Sequence, residues 1–137
     1  MKRRTGMLAT GAAAFLLAVA VATPAEAAES SGCLTSDDGA RGYWEGTPQD
    51  PTLVDPLHLA VLDTKRDGRH PAIRFVTKNY IGSTTYWPWH HNYDGHPNWK
   101  DWYGRAQSND GMVRWTVQVA NFDGSTRRSL CTAAWQS

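Results

Sequence analysis

Residues 57–63 read Leu57-His58-Leu59-Ala60-Val61-Leu62-Asp63, and residues 72–80 read Ala72-Ile73-Arg74-Phe75-Val76-Thr77-Lys78-Asn79-Tyr80. In the first stretch Leu57, Leu59 and Val61 share one parity, and His58, Ala60 and Leu62 share the other. In the second, Ile73, Phe75 and Thr77 oppose Arg74, Val76 and Lys78. A two-residue period is the signature of a strand, because successive side chains point to opposite faces of the sheet. Lys65-Arg66-Asp67-Gly68 lies between the stretches as a polar turn, so together they predict a hairpin. The same period recurs in residues 113–119, where Val113, Trp115, Val117 and Val119 alternate with Arg114, Thr116 and Gln118. That alternation assigns Trp115 to the core.

Shorter strand candidates fill most of the remaining chain. Cys33-Leu34-Thr35 opens the first, after a lead-in at residues 28–32 that reads as flexible, and Arg41-Gly42-Tyr43-Trp44-Glu45 makes the second. Residues 86–91 and 99–107 are two more, and residues 126–135 form the last. Residues 46–56 hold Pro48, Pro51 and Pro56 and read as a loop, since each proline lacks a backbone donor and has a fixed φ. Asp-Gly pairs at 38, 67, 94, 110 and 123 supply turns at close intervals, and no segment after the leader combines helical spacing with caps. The expected fold is all-β, a small antiparallel sandwich or a barrel.

The N-terminus has the three parts of a secretory signal. Lys2, Arg3 and Arg4 precede an apolar run over residues 7–22, and Ala25-Glu26-Ala27 offers small residues at the positions a signal peptidase reads. The uncharged run is shorter than the ~20 residues of a membrane span. Arg3-Arg4 raises twin-arginine export, but Thr5-Gly6 stands where apolar residues would follow, which favours the general route. Residues 1–27 are therefore read as a signal peptide and 28–137 as one secreted domain, with no membrane attachment after cleavage. Without Lys2, Arg3, Arg4 and Glu26, the 14 basic and 13 acidic residues become 11 and 12, a net charge of −1. That balance argues for no nucleic-acid partner.

Cys33 and Cys131 are the only cysteines, near the two ends of the mature chain. In an oxidising compartment they are expected to pair and to join the first strand to the last. Lipid attachment at Cys33, after Ser31-Gly32, would leave Cys131 alone and lies far past the apolar run. Neither cysteine has a nucleophile's setting.

Residues 59–75, running from Leu59-Ala60-Val61-Leu62-Asp63-Thr64-Lys65-Arg66-Asp67-Gly68 to Ile73-Arg74-Phe75, together with Tyr93-Asp94-Gly95 and Cys131-Thr132-Ala133-Ala134-Trp135, resemble small secreted actinobacterial β-rich proteins of unknown function. The resemblance implies secretion and a β fold. It implies no activity.

The unusual chemistry is concentrated in residues 80–103, which hold four of the seven tryptophans, four of the five tyrosines and His90, His91 and His96. Flat rings bury large area at small entropic cost and stack on sugars or on partner side chains. Tyr86, Trp87, Trp89, His90, Tyr93, Trp99 and Trp102 are the candidate ligand-binding residues. Burial of the four tryptophans in or beside the core is the competing expectation, since Trp is well buried on average. Trp87 and Trp89 share a parity around Pro88 and are expected on one face.

His90, His91, His96 and Asp94 are ligand types that zinc or copper accepts, but adjacent strand histidines diverge and the spacing fits no zinc motif. Asp63 and Asp67 lack the alternation of a calcium loop and are expected to stabilise a turn with Gly68. No metal or cofactor is expected. There is no Gly-x-Ser-x-Gly elbow and no phosphate loop, and His58 is placed on the polar face of its strand. The expected function is a non-catalytic binding protein for a polysaccharide or an extracellular protein. The alternatives are a small hydrolase using a carboxylate pair or a histidine, and an enzyme inhibitor presenting residues 46–56.

Overall fold

In the computed structural model, residues 27–137 form an all-β sandwich of two antiparallel sheets, and the leader assigned to residues 1–27 lies almost wholly outside the described residues. Sheet A holds β1 (Glu29–Leu34), β2 (Ala40–Asp50), β3 (Leu53–Asp63) and β7 (Trp99–Gln107), in the order β1-β2-β3-β7. Sheet B holds β4 (His70–Lys78), β5 (Thr84–Tyr86), β6 (His90–His91), β8 (Arg114–Asp123) and β9 (Thr126–Thr132), in the order β5-β4-β8-β9 with β6 also on β4.

The alternation of the sequence becomes the inner and outer faces of these sheets. Trp44, Leu57, Leu59 and Val61 of sheet A meet Ile73, Phe75, Trp115, Val117 and Val119 of sheet B in the core. Trp44 is fully buried, lies 5.5 Å from the Phe75 ring, and donates its indole N–H to Ser31 Oγ at 2.8 Å. Trp115 is buried as expected and donates to Glu29 Oε2 at 2.6 Å. Cys33 and Cys131 form the disulfide, with 6.2 Å between their Cα atoms, and so tie β1 of one sheet to β9 of the other.

Three local expectations are corrected. Residues 57–63 and 72–80 are not a hairpin: β3 pairs with β2 and β7, whereas β4 pairs with β5, β6 and β8. The Asp67-Gly68 turn belongs to a crossover between sheets. Residues 46–56 are not a loop, because β2 and β3 run through them and only Pro51-Thr52 separates the two strands. Pro48 and Pro56 are accommodated where the register shifts, beside irregularities that leave the ladder otherwise continuous. Residues 28–32 are not a free lead-in, since β1 already pairs with β2 from Glu29↔Gly46 onward.

The turn chemistry holds. Asp67 Oδ1 accepts from the Arg69 N–H at 2.9 Å, Asp63 Oδ1 from the Lys65 N–H at 3.2 Å, and Gly68 has φ 73°. Asn121 of β8 then locks two connections together, donating from Nδ2 to Asp37 Oδ2 and to Asp67 Oδ2, each at 3.0 Å.

Candidate functional site

The outer face of sheet A carries a row of rings set among charges. Directly opposed residues of neighbouring strands share a face. Register therefore places Arg41, Leu62 and Trp99 in one row, Tyr43, Ala60 and Asp101 in the next, and Glu45, His58 and Tyr103 in a third. His58 is held from both sides, its Nε2 2.7 Å from Asp101 Oδ1 and its Nδ1 3.5 Å from Glu45 Oε2. Its ring stacks on Tyr103 at 4.4 Å and 3°. Tyr43 meets His58 and Trp99 edge-on, each with 5.6 Å between centroids. Burial, with the negative charges of Glu45 and Asp101 nearby, pushes the Tyr43 phenol up from its usual pKa, so it stays a neutral donor.

β1 leaves this row open on one side. Gly32 stands opposite Tyr43, and a Cβ there would come within 2.8 Å of the Tyr43 Cβ. With no side chain at Gly32, a groove of about 700 Å³ remains, bounded by Leu34, Arg41, Tyr43, Glu45 and Trp99. Trp99 is 42% exposed and Tyr103 77% exposed. The surface thus combines flat apolar rings, carboxylate acceptors at Glu45 and Asp101, and a guanidinium donor at Arg41.

The seven residues singled out in the sequence do not share one surface. Trp99 belongs to the row just described. Trp102 faces inward opposite Leu59, with His90 5.1 Å from its ring. Tyr86 and Trp89 lie on the outer face of sheet B, on either side of the Arg74 guanidinium at 4.3 and 4.5 Å. Trp87 turns the other way, packing 6.4 Å from Phe75 and donating to Thr77 Oγ1 at 3.2 Å. The expectation that Trp87 and Trp89 face alike is corrected, because Pro88 interrupts the strand between β5 and β6 and resets the parity. Tyr93 is exposed at the edge of sheet B, 4.5 Å from the His70 ring.

The histidines are likewise dispersed. His90 points to the core side, while His91 lies on the outer side with its Nδ1 3.0 Å from His70 Nε2. Burial holds His70, His90 and His91 below the usual histidine pKa, and proximity to His91 lowers the first two further. His96 pairs through Nδ1 with the Asp63 carbonyl at 3.1 Å. Among the described residues no group of three or more His, Cys, Asp or Glu side chains is placed to hold a metal ion.

Tyr43, His58 and Tyr103 were not among the expected site residues. The signal for them is parity: each sits on the non-core parity of its strand, at a position where a small or polar residue would suffice. The chain matches no protein-family model, no curated protein and no solved structure.

Proposed function

We propose that this chain is a secreted, non-catalytic binding module whose sheet A outer face takes a neutral polysaccharide chain. The observation that carries this is the open row of Trp99, Tyr43, His58 and Tyr103, bordered by Arg41, Glu45 and Asp101, beside the groove that Gly32 leaves. Rings of this kind stack on the apolar faces of sugars, and the flanking charged groups accept from or donate to sugar hydroxyls. Binding is favoured over hydrolysis by a histidine-activated hydroxyl because Nε2 of His58 is 2.7 Å from Asp101, Nδ1 lies 3.5 Å from Glu45, and among the described residues no hydroxyl is hydrogen-bonded to the ring as a nucleophile would be. Residues 46–56, which an inhibitor would present, are a paired hairpin with Gly46 and Val54 buried and Gln49, Asp50, Pro51 and Pro56 exposed, and no ring row or groove like that of sheet A favours them. Export fits the disulfide, which persists in oxidising compartments, and no described helix is long and apolar enough to cross a membrane.

The test is retention of the mature chain on insoluble neutral polysaccharides such as cellulose, chitin and starch. Trp99→Ala and Tyr103→Ala should each weaken binding about 10- to 100-fold, as loss of an aromatic anchor does. Both side chains are exposed, so the variants should fold. Capture of an extracellular protein through these same residues, with no polysaccharide retained, would replace the polysaccharide by a protein partner. Unchanged binding in the double variant would remove this face from consideration.

A further inference from the structure

The near-neutral total charge conceals a division between the two sheets. The strands of sheet A carry six acidic and three basic side chains. Those of sheet B carry five basic ones (Arg74, Lys78, Arg114, Arg127 and Arg128) and a single acid, Asp123, which pairs with Arg128 at 3.3 Å. Register gathers the remaining four cations on the outer face. Lys78 lies opposite Arg114, with their charged groups 5.1 and 5.4 Å from the Trp135 ring. Arg74 lies opposite Gln118, and Arg127 opposite Phe122.

Arg74 is the fixed point of this face. Its guanidinium sits between the Tyr86 and Trp89 rings, and its Nε and Nη2 both donate to Gln118 Oε1, at 2.9 and 2.7 Å. Stacking on two rings and a double hydrogen bond hold the plane of the group without neutralising it. Burial and then the Arg127 charge both disfavour the charged guanidinium, Tyr86 opposes them, and among the described residues no carboxylate compensates. A rigid, partly buried cation with a like charge nearby is stabilised by an anion supplied from outside.

We propose that the outer face of sheet B is a docking surface for an anionic polysaccharide carrying carboxylate or sulfate groups, with Arg74 as its central contact. The site stands independently of the one on sheet A. The rings beside Arg74 select this class of polymer over single-stranded nucleic acid. The ring faces of Tyr86 and Trp89 turned toward Arg74 are already occupied, which leaves less platform for stacking bases.

The probes are dextran sulfate, uncharged dextran and a single-stranded oligonucleotide, each titrated against the mature chain at low and at physiological salt. Dextran sulfate should bind, and more weakly as salt rises. Arg74→Gln should weaken it about tenfold or more, the loss of one charge-assisted contact. Arg114→Ser with Arg127→Ser provides a second variant at exposed positions, and should lower affinity comparably whether or not Arg74→Gln folds. Trp99→Ala, which tests the sheet A surface, should leave dextran sulfate binding as it was. No binding of dextran sulfate at low salt, or equal affinity in the Arg114/Arg127 variant, overturns the proposal. Tighter binding of the oligonucleotide than of dextran sulfate overturns its choice of polymer.

Discussion

Asp37 shows how one side chain can hold several elements. Burial favours its neutral form, yet hydrogen bonds from Thr35, Asn121 and the Gly39 N–H stabilise the carboxylate more strongly, so its pKa falls well below the usual carboxylate range. Arg69 adds an ion pair at 3.4 Å. A carboxyl whose folded-state pKa is depressed contributes stability that is complete above its unfolded value, near 4, and is lost as pH falls toward the folded one. Asp37→Asn should therefore cost about 1–3 kcal/mol at pH 7, and its deficit against the native chain should shrink as pH drops below about 4. Urea titrations across that range would measure it, and a deficit independent of pH would show that the charge of Asp37 is not what matters. Residues of this kind are hard to identify in the sequence. Asp37 is one aspartate among several near a turn, and its partners Asn121 and Arg69 lie far along the chain. His58, in the candidate site, has the same difficulty, since its carboxylates Glu45 and Asp101 come from two other strands.

At the level of strands, period and partner are separate pieces of information. Alternation in residues 57–63, 72–80 and 113–119 marks three strands, and in the last it also marks the buried face, because facing inward is written into a strand's own residues. Pairing is not, since both edges of β3 are used by β2 and β7, and β4 lies in the opposite sheet. Proline misled for a related reason: Pro48 and Pro56 lie beside register shifts, where a missing donor costs the ladder little. Turns were more legible. The glycines of four Asp-Gly pairs, at 68, 95, 111 and 124, have positive φ. The fifth pair differs, with Asp38 taking the positive φ of 55° and Gly39 required for space, a Cβ there falling 2.0 Å from Asn121 Nδ2. Gly39→Ala must push Asn121 off Asp37 and Asp67, and should destabilise the β1–β2 connection by about 1–3 kcal/mol. Chemical denaturation would read this directly. A change within ~0.3 kcal/mol would mean that Asn121 is free to move and does not lock the two connections.

For the molecule as a whole, the two sheets have distinct outer surfaces and share one core and one covalent link. The aromatic content of residues 80–103 was visible in the sequence, but not its division. A strand crossing between sheets sends neighbouring rings to opposite sides, so Trp99 faces out from sheet A while Trp89 faces out from sheet B. The core between the sheets is small, as expected for a domain of this length, and such domains gain much from a crosslink. Cys33 and Cys131 are separated by 98 residues, so the disulfide restricts nearly the whole unfolded chain. Closing a loop of that size contributes about 3–5 kcal/mol in the chain-entropy account, which corresponds to on the order of 10–25 °C in Tm. The native protein should show no reactive thiol, and reduction should lower Tm by that amount. Because β1 and β9 belong to different sheets, the reduced protein should lose the register of both surfaces together, so binding at the Trp99 row and at Arg74 should fall in parallel with Tm. Equal Tm before and after complete reduction would place the stability in the core alone. Two titratable thiols in the unreduced native chain would mean that the link between the sheets is not covalent at all.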